Sequence, residues 1–199
     1  MDWLQSLDTA AFRAINHGLS NPVFDWMMPF FSWNPLFIPL VVILGTALVW
    51  KGGVRGRLCV LMLLIVVAGG DGLICNTLKH AFGRARPFVD LADAHVLVGR
   101  TSSGSLPSAH AANWFSAATV IFIYYRRLFW FVLPVAVLVA FSRIYNGVHY
   151  PSDVLAGAAL GPKAAPFGEL GKLVITLIKA AAAPLLFLAI VQAIVKTEV

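Results

Sequence analysis

Long apolar runs separated by short basic clusters dominate the chain: residues 36–50, 58–78, 111–125 and 128–145 carry almost no charge. Crossing ~30 Å of hydrocarbon takes about 20 residues of helix, somewhat fewer where flanking residues help. Each run is therefore predicted to be a membrane helix. A further helix is predicted to start near Asp153, and residues 173–195 form another apolar run. The expectation is an all-α bundle of five or six transmembrane helices. At the N-terminus, Trp3, Leu4, Leu7, Ala11, Phe12 and Ile15 recur at helical spacing among polar residues. Two placements fit this amphipathic helix. It can lie in the interface plane, with Trp26, Phe30, Phe31 and Trp33 as aromatic anchors, or it can pack across the mouth of the bundle. Asp2, Asp8 and Arg13 interrupt the stretch where a cleaved signal peptide would be basic and then apolar, so none is predicted.

Composition sharpens this picture. The chain of 199 residues is 59% hydrophobic and 12% charged, with a mean hydropathy of +0.82. A soluble domain of this length would need more surface charge. The net charge of +6 is scattered between apolar runs instead of covering one polar face, which argues against nucleic acid and for anionic headgroups and phosphates. Cys59 and Cys75 share one apolar run, where a thiol behaves as a small hydrophobe, so neither a disulfide nor a metal role is assigned. The stretch 51–57 holds Lys51, Arg55 and Arg57 and no acid, and the next such connection is Arg126–Arg127. Both are predicted to face the cytoplasm. The long connection 79–110 and the stretch around His149 must then meet on the extracytoplasmic side.

Those two segments concentrate the polar chemistry. Lys79, Arg86 and Arg143 supply three fixed positive charges, the two arginines able to grip phosphate oxygens in a fork. They can neutralise the equatorial oxygens of a transferring phosphoryl group. Pro107–Ser108 ahead of an apolar run marks a helix start with Ser108 as N-cap, which aims the N–H groups of Ala109 and His110 at an anion. His110 there can protonate a departing oxygen. Pro151 opens another helix and sets Asp153 close behind His149. A carboxylate holding one imidazole nitrogen leaves the other to attack phosphorus, and water would then open the phosphohistidine. His110 would act as acid in the first step and base in the second. No metal or other cofactor is needed, and the few dispersed acids give no metal-ligand cluster.

Together these pieces read Lys79, six residues, Arg86-Pro87; Pro107-Ser108-Ala109-His110; and Ser142-Arg143, five residues, His149, three residues, Asp153. The triple pattern resembles the signature of the type 2 phosphatidic acid phosphatase superfamily, over roughly residues 79–153. The resemblance implies phosphate binding by Lys79, Arg86, Ser108, the backbone at Ala109, and Arg143. It implies His110 as general acid, His149 as nucleophile and Asp153 as its partner. Alanine at 109 replaces the family's usual glycine and still offers its N–H. The short chain looks most like bacterial undecaprenyl-diphosphate and phosphatidylglycerophosphate phosphatases of the inner membrane, with lipid A phosphatases as an alternative. A vanadate haloperoxidase, which shares the arrangement, is excluded by the hydropathy. A non-enzymatic transport or structural protein is the reading from another class, and it would place polar groups at the bilayer midplane.

Several polar residues have blander readings. The basic residues taken singly would be snorkelling side chains near helix ends, and His17, His80 and His95 lack catalytic spacing. Asp71, flanked by glycines within an apolar run, is expected to line a polar cavity or pair with a neighbouring helix. Arg84 and Arg100 stand as candidates for added attraction toward a diphosphate. The phosphatase-like region is assigned to residues 1–161, because Pro162 and Pro166 break the last helix and ~13.5 Å of helix from Asp153 to Gly161 cannot cross the core. Residues 162–199 form an atypical tail with one apolar helix. Its segments 168–179 and 184–190 resemble dicarboxylate and amino-acid cation symporters, and no transport residue is carried over.

Overall fold

The computed structural model describes residues 2–32, 37–69 and 74–164, and every regular element among them is helical. The chain divides into a unit Met1–Ala165 and a second unit, Pro166–Val199. The symporter-like tail and Asp71 lie outside the described residues.

Nine helices are described: α1 Asp2–Asn16, α2 Pro22–Ser32, α3 Phe37–Lys51, α4 Gly53–Gly69, α5 Asn76–Phe82, α6 Pro87–Asp90, α7 Ala109–Tyr124, α8 Arg126–Tyr145 and α9 Pro151–Leu160, the last followed by a 3-10 turn, Gly161–Ala164. Local chemistry sets their ends. Asn21 caps α2, its Oδ1 accepting from the N–H groups of Val23 at 3.1 Å and Phe24 at 3.0 Å, with Pro22 at the first helical position. Gly83 closes α5 in the left-handed region at φ 55°, donating its N–H to the Lys79 carbonyl.

Two expected cytoplasmic loops are shorter than the charge pattern suggested. The basic stretch 51–57 is almost wholly helical, because Gly53 at φ 57° reverses the chain in place and α4 starts there instead of at Leu58. Arg126 and Arg127 likewise belong to the first turn of α8, with Tyr125 as the only residue between α7 and α8. Of the run 58–78, α4 is described to Gly69 and α5 from Asn76, and residues 70–73 lie outside the described residues. Among the described residues, α8 is the one helix long and apolar enough, by length and composition, to cross a membrane.

Helix α7 is the hub, packing on α4, α8, α9 and the closing 3-10 turn. Small residues let α9 approach it. A Cβ on Gly157 would collide with the Ser108 carbonyl oxygen, and one on Gly161 would sit 2.6 Å from Phe115 Cβ and 2.7 Å from the Ser116 nitrogen. Below this seam Phe12, Ala111, Ala140, Ile144, Tyr150 and Val154 form one core cluster. Of the two placements open to α1, the structure shows the helix packed on α8 and α9. Phe12 and Asn16 are buried there, while Trp3, Leu4 and Leu7 stay exposed.

Candidate active site

The site forms where α7 and α9 begin and α8 ends. Ser108 is extended (φ −73°, ψ 109°) and holds the N-cap position of α7, yet its hydroxyl makes no capping bond. Instead its backbone N–H donates to the Asp153 carbonyl at 2.9 Å, joining the starts of α7 and α9. That leaves the buried Ser108 Oγ without a partner, next to Ala109 and His110 in the first turn.

At the other side, α9 is started by Pro151 and capped by Asp153, whose Oδ2 accepts from the Tyr150 N–H at 2.8 Å. The same oxygen lies 3.6 Å from His149 Nδ1, an ion-pair separation longer than a hydrogen bond. The imidazole is therefore flanked by its expected carboxylate and not yet clamped by it. Its Nε2 sits 3.4 Å from Arg86 Nη1. His149 and Asp153 are both essentially inaccessible.

Arg86 is fixed by backbone and hydroxyl oxygens, not by an acid. Nε donates to the Ser103 carbonyl at 2.8 Å, Nη1 to the Val148 carbonyl at 3.0 Å, and Nη2 to Ser103 Oγ at 3.1 Å and the Gly104 carbonyl at 3.3 Å. Arg143, in the last turn of α8, is buried with its Nε unpartnered. Among the described residues neither arginine makes a salt bridge. Lys79 on α5 stands within electrostatic range of His110, as do Arg143 and His149. Gly104 runs against the Lys79 backbone, which ties the connection carrying Arg86's anchors to α5.

The structure thus brings Lys79, Arg86, Ser108, Ala109, His110, Arg143, His149 and Asp153 to one end of the bundle. A cavity of about 370 Å³ opens there, lined by Pro29, Leu97, Val98, Gly99, His110 and Arg143. That is room for a phosphate headgroup, and its apolar rim suits the start of a lipid chain. Burial lowers the Arg86 pKa from the ordinary guanidinium value, with Asp153 opposing. For His149, burial is the largest effect and Arg143 and Arg86 add to it; the opposing pull of the nearby Asp153 carboxylate does not prevent a shift down to about 4. The imidazole is neutral at physiological pH, as a nucleophile must be. An electropositive pocket holding an unpaired guanidinium nitrogen, an unpaired hydroxyl and a neutral imidazole is matched to a phosphoryl group.

Other residues were legible only in three dimensions. Ser103 and Gly104 hold Arg86, and Asn146 donates to Met28 O at 3.1 Å and Ser32 Oγ at 2.6 Å, bracing the His149 turn against α2. Arg84, a candidate for diphosphate attraction, is instead bonded to Asp8, Ser152 and Asp153. Arg100 lies over the Phe88 ring, 5.6 Å from its centroid.

Comparison with known proteins agrees with this arrangement. Residues 60–165 match the PAP2 superfamily. A bacitracin transport permease protein of Bacillus licheniformis is 34% identical over 81% of this chain and 78% of its own length. An undecaprenyl-diphosphatase of Bacillus subtilis is 33% identical over 72% of this chain and 73% of its own. Among solved structures, the transmembrane PAP2-type phosphatidylglycerolphosphate phosphatase of Bacillus subtilis superposes with a TM-score of 0.66 at 27% identity, covering 89% of each chain. On its helical architecture and on the match that runs from α4 through the start of α7 to the end of α9, the chain belongs to the PAP2 superfamily.

Proposed function

We propose that the chain is a metal-independent membrane phosphatase acting on a lipid-linked phosphate or diphosphate, with undecaprenyl diphosphate or phosphatidylglycerophosphate as favoured substrates. The observation that carries this is the pair of buried, unpaired polar atoms at one end of the bundle, Ser108 Oγ and Arg143 Nε, beside the His149 imidazole, whose Nε2 lies 3.4 Å from Arg86 Nη1. The names of the relatives support the substrate class.

In the proposed reaction, Lys79, Arg86, Arg143, Ser108 and the N–H at Ala109 hold the terminal phosphoryl group. His149 Nε2 attacks phosphorus, and the bond from phosphorus to the lipid-side oxygen breaks as His110 donates its proton to that oxygen. Asp153 stabilises the positive charge gained by the imidazole. Water then attacks phosphorus, His110 takes its proton, and the P–N bond breaks to release phosphate and restore His149. The lipid chain stays in the bilayer while the headgroup enters the cavity edged by Pro29, Leu97 and Val98. We place this end on the extracytoplasmic side of a bacterial cytoplasmic membrane, in a bundle of five or six transmembrane helices with α1 packed across its mouth against α8 and α9.

A transport role is the reading from another class, and one relative's name includes it. The charged site residues lie at helix ends and in connections, not at broken helices midway along a span, which favours hydrolysis. The deciding experiment is phosphate release by the purified full chain from undecaprenyl diphosphate, phosphatidylglycerophosphate, phosphatidic acid and lipid A, with EDTA and with His149→Ala in parallel. Release that persists in EDTA and is lost in His149→Ala is expected. Undiminished release by the variant would remove the mechanism, and loss in EDTA would require a metal.

A further inference from the structure

Arg84 makes four side-chain hydrogen bonds, two of them to carboxylates. Nη1 donates to Asp153 Oδ1 and to Ser152 Oγ, both at 2.7 Å. Nη2 donates to Asp8 Oδ2 at 2.6 Å and Gln5 Oε1 at 2.7 Å. Its guanidinium lies over the Tyr150 ring, 4.4 Å from the centroid. Asp8 completes the arrangement from α1: its Oδ1 accepts from the Ser152 N–H at 2.9 Å, and its Oδ2 accepts from the Ser152 hydroxyl. Both terminal nitrogens are thus committed, so Arg84 cannot grip a phosphate with its fork.

The consequence lies in how Asp153 divides its two oxygens. Oδ1 faces Arg84, whereas Oδ2 faces the Tyr150 N–H and His149 Nδ1. A fully buried carboxylate shared in this way is oriented by the arginine and gives less of its charge to the imidazole. We infer that Arg84, held in place by Asp8 of α1, is a positioning residue that sets the geometry and basicity of the Asp153–His149 pair, making the N-terminal helix part of the catalytic apparatus.

This inference rests on His149 being the nucleophile. The ionisable groups around the imidazole are Arg86 from the long connection, Arg143 from α8, Asp153 from α9 and His110 from α7. Behind them stand Arg84 and Asp8, with Asp90 bonded to the Tyr150 hydroxyl. Removing the Arg84 charge leaves Asp153 as a stronger base toward His149, so the imidazole holds its proton to higher pH. Removing the Asp8 charge makes the surroundings more positive and does the opposite.

The test is kcat and KM of the full-length protein in detergent with farnesyl diphosphate across acid and neutral pH, comparing wild type, Arg84→Gln, Arg84→Lys, Asp8→Asn and His149→Ala. Arg84→Gln is expected to lower kcat about 10- to 100-fold with KM within about twofold, the usual effect of losing a group that orients a catalytic one. It should also move the acid limb of kcat/KM upward by about one pH unit. Arg84→Lys should restore much of the limb position, and Asp8→Asn should move the limb downward. An unmoved limb in Arg84→Gln, or an equal upward shift in Asp8→Asn, would overturn the inference and leave the cluster as packing alone. A rise in KM without a limb shift would overturn it in favour of a direct phosphate contact. Should Arg84→Gln fail to fold, Asp8→Asn decides: a downward shift supports the inference, and an upward or absent one overturns it. Retained activity in His149→Ala overturns the nucleophile assignment as well, which separates the two failures.

Discussion

His149 acts through a lone pair that burial protects. In water an imidazole titrates near 6.5, but burial, helped by Arg143 and Arg86 and resisted by Asp153, takes this one down to about 4. The sign for catalysis follows directly: the attacking form is the neutral one, and it persists until pH falls well below the ordinary histidine range. The acid limb of kcat/KM, which reports the free enzyme, should therefore lie at least one pH unit below 6.5. A limb at or above 6.5 would show that His149 is not the titrating base. Arg143 offers a second check at this scale. Its guanidinium is buried with Nε unpartnered, so Arg143→Lys keeps a charge but loses the forked donor. A fall of about 10²-fold in kcat is expected for a group that stabilises the transferring phosphoryl, and steady-state phosphate release would measure it.

Helices α7 and α9 carry the two histidine-bearing turns, and what sets the turns together is the closeness of the helix starts. The Ser108 N–H to Asp153 carbonyl bond at 2.9 Å requires α9 to lie almost against α7, and Gly157 permits it, since any Cβ there meets the Ser108 carbonyl oxygen. Gly157→Val should push the helices apart at the catalytic end and cost about 1–3 kcal/mol from overpacking alone. A lowered unfolding midpoint in detergent, together with reduced kcat, is the expected outcome. An unchanged midpoint would mean that the seam is looser than its geometry indicates. Helix α1 is fixed to the same end by Asp8, by Arg13 donating to Asp93 at 2.9 Å, and by Asn16 donating to the His95 and Tyr145 carbonyls at 2.8 and 2.6 Å.

At the scale of the molecule, the basic turns and the candidate site lie at opposite ends of α7, whose 16 residues span about 24 Å. Arg55 stands over the Tyr125 ring at 5.1 Å, so the α3–α4 reversal and the α7–α8 junction meet at one end. His110 and the Asp153–His149 pair meet at the other. The excess of positive charge on short turns orients such bundles with those turns toward the cytoplasm, which is why we propose an extracytoplasmic site. Sealed right-side-out vesicles should hydrolyse substrate added to the outer leaflet. Hydrolysis confined to substrate in the inner leaflet would reverse the proposed orientation.

The helical class and the superfamily were legible in the linear chain, because apolar run length and the spacing of Lys79, Arg86, His110, Arg143, His149 and Asp153 are properties of neighbours in sequence. Basic residues at 51–57 and 126–127 were legible too, but as loops, since periodicity has no signal for a reversal made by one left-handed glycine. Only folding decided which arginine meets which partner. Arg84 and Arg86 are two residues apart and chemically alike, yet one is bonded by acids 69 and 76 positions away and the other by backbone carbonyls and a serine. Side-chain identity states what a group is able to bind, whereas its actual partner is set by which backbone arrives beside it, and that is a property of helix packing alone.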